Sequence, residues 1–248
     1  VFIGPQYFYF GLLQSFVHNN WAWKYASSMK SDLRYTPTAC FETFPFPVKF
    51  EEIIRKKIES IGETCHEHRR QLMLKSQLGL TKTYNLFHSK ELRPLTAIEE
   101  QLDDKPFEKQ FGKEAAHLRK HLIKTPGTIS FNEAVAGIIK LRELHVEMDH
   151  AVLEAYGWQD IKLHHDFYEV DYLPENDRVR YTIHPDARRE VLKRLLQLNH
   201  KIHEEEVAAR LWDKKAGSKK SKKSISETSS FEEPEEGYGG LFELSETE

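Results

Sequence analysis

Three prolines fall within the fifteen residues "LRYTPTACFETFPFP", 33–47, and no other stretch constrains the fold so tightly. Pro37, Pro45 and Pro47 each fix φ and remove a backbone donor, and the residue before each is pushed toward extended geometry. Such a run is expected to be neither helix nor central strand. The expectation is an ordered aromatic loop, or a surface, with extended segments inside 31–47.

Helical periods flank that loop. In 7–29, Phe10, Leu13, Val17, Trp21 and Tyr25 recur at spacings of three and four, which predicts one helix stopping near Ser31-Asp32. After Pro47, Ile53, Ile54, Ile58, Ile61, Cys65, Arg69 and Leu72 line one face of a helix of about 25 residues, and Gly62 weakens its middle by up to about 1 kcal/mol relative to Ala. Gly79 closes this segment, and Thr81 is the expected N-cap of a short helix ending at about His88. Pro94, Pro106, Pro126 and Gly127 divide 90–131 into short pieces, of which "KEAAHLRKHL" reads best as helix.

A long helix follows, with Asn132 as its expected N-cap, Ala134, Ile138, Leu141, His145, Met148, Val152 and Tyr156 on one face, and Gly157 as its stop. Residues 167–183 read as a hairpin around the turn cluster "PEND", and Pro185 opens a last helix where a missing N–H does no harm. Beyond Trp212 the Lys, Ser, Glu and Gly content predicts disorder, because too little apolar surface can be buried to offset ordering entropy. The fold class expected is mainly α, with long amphipathic helices, a small β-hairpin and an ordered Pro/aromatic loop. Its expected parts are 1–47, a helical domain over 48–212, and a disordered tail over 213–248.

At 248 residues and 39% apolar content the chain can bury a real core. Its two cysteines, Cys40 and Cys65, cannot form a disulfide framework, which fits a reducing, cytoplasmic compartment. No apolar run approaches the ~20 residues of a membrane span, so no membrane partner is expected. The formal charge of −3 resides in the tail, where six lysines meet nine acidic residues; residues 1–212 hold 30 basic and 30 acidic side chains. A neutral body argues against nucleic-acid binding by bulk charge, though not against a local basic patch. The chain opens on Val1 rather than Met, and is expected to be a piece of a longer protein.

Catalytic signatures are missing. There is no GxGxxG or GxxxxGKT phosphate loop, no GxSxG and no HExxH. Cys65, His66 and His68 point different ways on a helix, and His117 with His121 lack a third ligand, so solvated polar faces are the expected reading rather than metal sites. His18 and His145 sit on apolar faces as packing residues. A nucleic-acid surface is the remaining candidate. Lys24, Lys30, Arg34 and Tyr35 stand among Trp21, Trp23, Phe41, Phe44 and Phe46, the mixture of cations and aromatics that phosphate contact and base stacking require. Arg69 and Arg70 add candidate phosphate contacts.

Three ordered segments carry a resemblance: "LLQSFVHNNWAWKYASSMKSDLRYTPTACFETFPFP", "LGLTKTYNLFH" and "LRELHVEMDHAVLEAYGW". Together they resemble the C-terminal part of large adenine-specific DNA methyltransferases, of the fused MmeI and Eco57I restriction-modification type and of BREX and DISARM phage-defence islands. In that family the RY…FETFPFP loop belongs to the target-recognition region, and the helix with Met148-Asp149 in a Leu-Asp place follows it. The resemblance covers 1 to about 212 and implies double-stranded DNA as partner, with other defence-system subunits as further candidates. It also implies an upstream methyltransferase domain that uses S-adenosylmethionine. The family's NPPY motif, which holds a flipped adenine, is absent here, so no catalytic or cofactor-binding residue is expected in this chain. The implied DNA contacts are Lys24, Lys30, Arg34, Tyr35, Arg69 and Arg70, with Arg34 on guanine or on phosphate. A non-catalytic helical module that assembles a defence complex is the alternative.

Overall fold

A computed structural model describes residues 6–29 and 32–209. The chain divides into two units, 1–203 and 204–248; of the second, 204–209 are described. Lys30 and the expected tail, 213–248, lie outside the described residues.

The first unit is mainly helical, as the periodicity implied. Helix α1 (Gln6–Gln14) is followed by α2 (Phe16–Tyr25), and these differ from the single helix expected over 7–29. Ser15 adopts extended backbone at the break; its Oγ donates to Leu12 O at 2.7 Å and accepts from His18 N at 3.3 Å. The decisive partner is remote: Asp149 Oδ1 accepts from Phe16 N at 2.7 Å. A buried carboxylate thus satisfies one orphan donor of α2 and complements its positive end. The periodicity of 7–29 carries no trace of it.

The chain leaves α2 at Tyr25 rather than near Ser31, entering an antiparallel hairpin of β1 (Ser27–Met29) and β2 (Asp32–Arg34) in which Ser27 stands opposite Arg34. The Pro/aromatic run is then mostly loop. Its one departure from the expectation is a π-helical turn at Pro37–Phe41, tolerated because Pro37 is its first residue and owes no intrahelical donor.

Helix α3 (Glu52–Ser76) packs most extensively on α6 (Phe131–Tyr156) and on α1. Ile58, Cys65 and Leu72 are buried on its inner face, whereas Ile53, expected there, is 70% exposed. Glycines permit both close approaches. A Cβ on Gly62 would meet Tyr7 O at 2.4 Å, and one on Gly137 would meet Leu72 Cδ1 at 2.6 Å. Gly62 is therefore the residue over which α1 crosses, not a weak spot left in a helix.

Short α4 (Leu80–Phe87) is capped by Gly79 rather than Thr81. Helix α5 (Asp104–Lys124) is longer than the expected piece, because Pro106 falls in its first turn and Gly112, at φ 78°, bends the chain without ending it. Ser130, not Asn132, caps α6 in a capping box with Glu133, while Asn132 exchanges hydrogen bonds with the backbone of Leu95. Gly157 ends α6 at φ 72° as expected. Strands β3 (Asp166–Glu169) and β4 (Val179–Thr182) form the second hairpin, and α7 (Pro185–Ala208) follows. Arg142, buried on α6, donates to the carbonyls of Leu86, Phe87 and Ser89 and so ties the end of α4 to the core.

Candidate nucleic-acid interface

The Pro/aromatic loop is braced from several sides. Trp21 Nε1 donates to Thr43 Oγ1 at 3.2 Å, Tyr156 Oη donates to Pro45 O at 2.9 Å, and Asn199 Nδ2 donates to Thr43 O at 2.7 Å. Phe44 is 4% exposed, and its ring meets His18 edge-on at 4.6 Å. Prolines lower the entropy that an ordered loop loses on folding, and these contacts supply the rest of its rigidity. Most of the loop's aromatics therefore hold it in place.

At its beginning the loop presents Arg34 and Tyr35 to solvent, and farther on Pro37, Thr38, Glu42 and Thr43. Tyr35 is 44% exposed, and its hydroxyl shares a 3.0 Å hydrogen bond with His18 Nε2. Burial lowers the His18 imidazole to about 4, so the ring is neutral at neutral pH and fixes the phenol as a dipole, not as a charge. Burial and then Cys40 hold the Tyr35 phenol above its ordinary value. A cleft of about 480 Å³ opens beside Tyr35, lined by Gln14, Asn19, Leu33 and Phe41 among others.

Two of the expected cations border this end of α2. Lys24 is exposed in the last turn of α2, and Arg34 is exposed at the end of β2, opposite Ser27 and so three residues beyond Lys24 across the hairpin. Neither forms an ion pair among the described residues. Trp23 stacks on Tyr172 at 4.3 Å, which pins this end of α2 to the loop between β3 and β4.

Arg69 and Arg70 are engaged. Arg69 is half-buried on α3: Nη1 donates to Gln14 Oε1 at 3.1 Å and to Tyr84 Oη at 3.3 Å, and the guanidinium lies 5.2 Å from the Phe10 ring centre. Arg70 is exposed and forked onto Glu67 at 2.7 and 2.8 Å. Arg69 thus reaches the cleft only through Gln14. Gln14 and Asn19 escaped the sequence reading, which followed cations and aromatics; their signal was amides interrupting an otherwise apolar helix. Asn and Gln amides are bidentate partners for adenine edges.

The buried histidines are packing residues. His145 is 4% exposed, held near 4 mainly by burial, and bonded to Tyr84 Oη at 3.2 Å. His68 and His121 meet the carbonyls of Gly137 and Ser76 at 2.8 and 3.0 Å. Among the described residues no group of three or more His, Cys, Asp or Glu is placed to hold a metal ion, and no helix is long and apolar enough to cross a membrane.

Residues 1–48 match the family model described as MmeI, target recognition domain. The matched stretch contains α1, α2, the first hairpin and the braced loop, the elements that build the cleft and carry Lys24, Arg34 and Tyr35. No curated protein and no solved structure matches the chain.

Proposed function

We propose that the chain contributes DNA target recognition to a site-specific adenine methyltransferase of a restriction-modification or phage-defence system. The supporting observation is that the segment similar to a target recognition domain coincides with a rigid platform bearing an exposed tyrosine, two cations without an ion pair among the described residues, and a cleft bordered by two amides. Residues 1–47 end the recognition region, 48–212 form a helical C-terminal domain that braces it, and a methyl-transfer domain with S-adenosylmethionine precedes Val1. The partner is double-stranded DNA. Lys24, Lys30 and Arg34 contact its backbone or base edges, Tyr35 lies against the groove wall, and Gln14 and Asn19 face the bases. Arg69 positions Gln14, and Arg70 reaches a phosphate only by leaving Glu67.

The test is methyl transfer to duplex DNA by the longer reading frame containing this chain, with and without residues 1–212. The proposal expects site choice to collapse on deletion, with S-adenosylmethionine binding retained. Unchanged site choice, or a reading frame without an upstream NPPY domain, refutes it.

A further inference from the structure

A second cationic surface lies away from the residues the sequence singled out. Between α4 and α5 runs a groove of about 590 Å³, bordered by Lys82, Asn85, His117, Lys120, His121 and Lys124. Its floor is Leu78, Leu86 and Leu118, each 7% exposed or less. The rim is cationic, and among the described residues Glu114 is the one carboxylate lining the groove. Asp104 approaches Lys120 at 3.5 Å, while Lys82 and Lys124 are exposed and form no ion pair among the described residues.

The spacing has a direction. His117 stands three and four residues before Lys120 and His121, and Lys124 stands four and three residues after them, so the four share one helix face. At 1.5 Å per residue that face runs about 10 Å, roughly three base-pair rises of 3.4 Å. Lys82 faces it from α4. We infer that the α4–α5 groove grips the phosphodiester backbone of one DNA strand, a contact that positions the duplex without reading it. The inference rests on the DNA-binding reading above and locates backbone contacts on the helical domain, where Arg69 and Arg70 are already engaged.

Binding of the full 248-residue chain to a mixed-sequence duplex, followed by fluorescence anisotropy across roughly 50 to 200 mM salt, tests it. Lys82→Gln, Lys120→Gln and Lys124→Gln combined are expected to weaken binding ~10-fold or more and to flatten the log–log salt slope by roughly 2.7, about 0.9 for each phosphate no longer neutralised. Lys56→Gln, Lys105→Gln and Lys109→Gln combined remove equal charge outside the groove and are expected to leave the slope nearly unchanged. Equal losses in both variants, or none in the first, overturn the groove while the recognition reading stands. Loss of poly-glutamate binding with duplex binding intact overturns it in favour of an acidic protein. If the unaltered chain binds no duplex under any salt, the recognition reading itself has failed.

Discussion

The carboxylate of Asp149, fully buried in α6, accepts a 2.7 Å hydrogen bond from the backbone N–H of Phe16, the first residue of α2. Its other oxygen meets His165 Nε2 at 2.7 Å. Two stretches of the sequence resemblance, the opening helical segment and the "LHVEMDHAVLEAYGW" helix, are thereby joined through one side chain. The helical domain sets where α2 begins, and α2 carries Lys24 and anchors Tyr35 through His18.

Asp149→Ala is therefore expected to lower unfolding stability by about 3 kcal/mol, because it strands both a helix-terminal N–H and a buried histidine. Asp149→Asn keeps an acceptor for Phe16 N and should lose less. Denaturant unfolding of both variants checks the order; equal losses would mean that the Phe16 bond contributes nothing.

Gly62→Ala reverses the usual rule for helix interiors. Alanine ordinarily gains up to about 1 kcal/mol over glycine there, yet the new methyl would sit 2.4 Å from Tyr7 O and force α1 off α3. A loss of more than about 2 kcal/mol is expected in thermal or denaturant unfolding. A gain would show that the crossing is looser than described.

The helical period of α3 was legible because Ile58, Cys65 and Leu72 are buried on one face. Helix α6 buries the expected face and residues beside it, α7 buries Ala187, Val191 and Leu195 while Val207, read as part of its apolar face, is exposed, and Gly157 and Pro185 mark real boundaries. The break at Ser15 was not legible, since its cause lies 133 residues away in Asp149. Lys24, Arg34 and Tyr35 were visible as residue types. Gln14 and Asn19 became candidates only when the packing opened a cleft beside them. Arg69 already stood on the apolar face of α3 in the sequence pattern, but which groups hold it there, Gln14, Tyr84 and Phe10, no one-dimensional pattern shows.

Acid should loosen the fold well before the carboxylates titrate. Burial holds His18 and His145 near 4 and His88 near 3, against 6.5 for the ordinary imidazole. Depressed folded values mean that their stability contribution is fully present above about 6.5 and is lost as pH falls toward the folded values. Between those limits the unfolded chain binds protons that the folded chain refuses, at about 1.4 kcal/mol per pH unit for each histidine. Unfolding free energies measured from pH 8 to pH 4 should be level at first and then fall below about 6.5. A level profile down to pH 5 would contradict the burial of these rings.

Arg69→Met and Arg70→Gln should separate cleanly. The first removes bonds to Gln14 and Tyr84 and the contact with Phe10, and is expected to cost about 2 kcal/mol of stability. The second removes an exposed pair with Glu67 and should change duplex affinity by less than about twofold. A large affinity loss for Arg70→Gln with stability unchanged would promote it to a direct DNA contact.

The platform's role in recognition is decided by the affinity of the full chain for duplex DNA before and after Arg34→Ala, with unfolding curves recorded alongside. Arg34 is exposed and, among the described residues, forms no ion pair, so the fold should be unchanged while affinity falls ~10-fold or more, the loss of about 1–3 kcal/mol expected of one good guanidinium contact. Equal affinity for the unaltered chain and for Arg34→Ala, each folded, would contradict DNA recognition by the braced platform of residues 1–48.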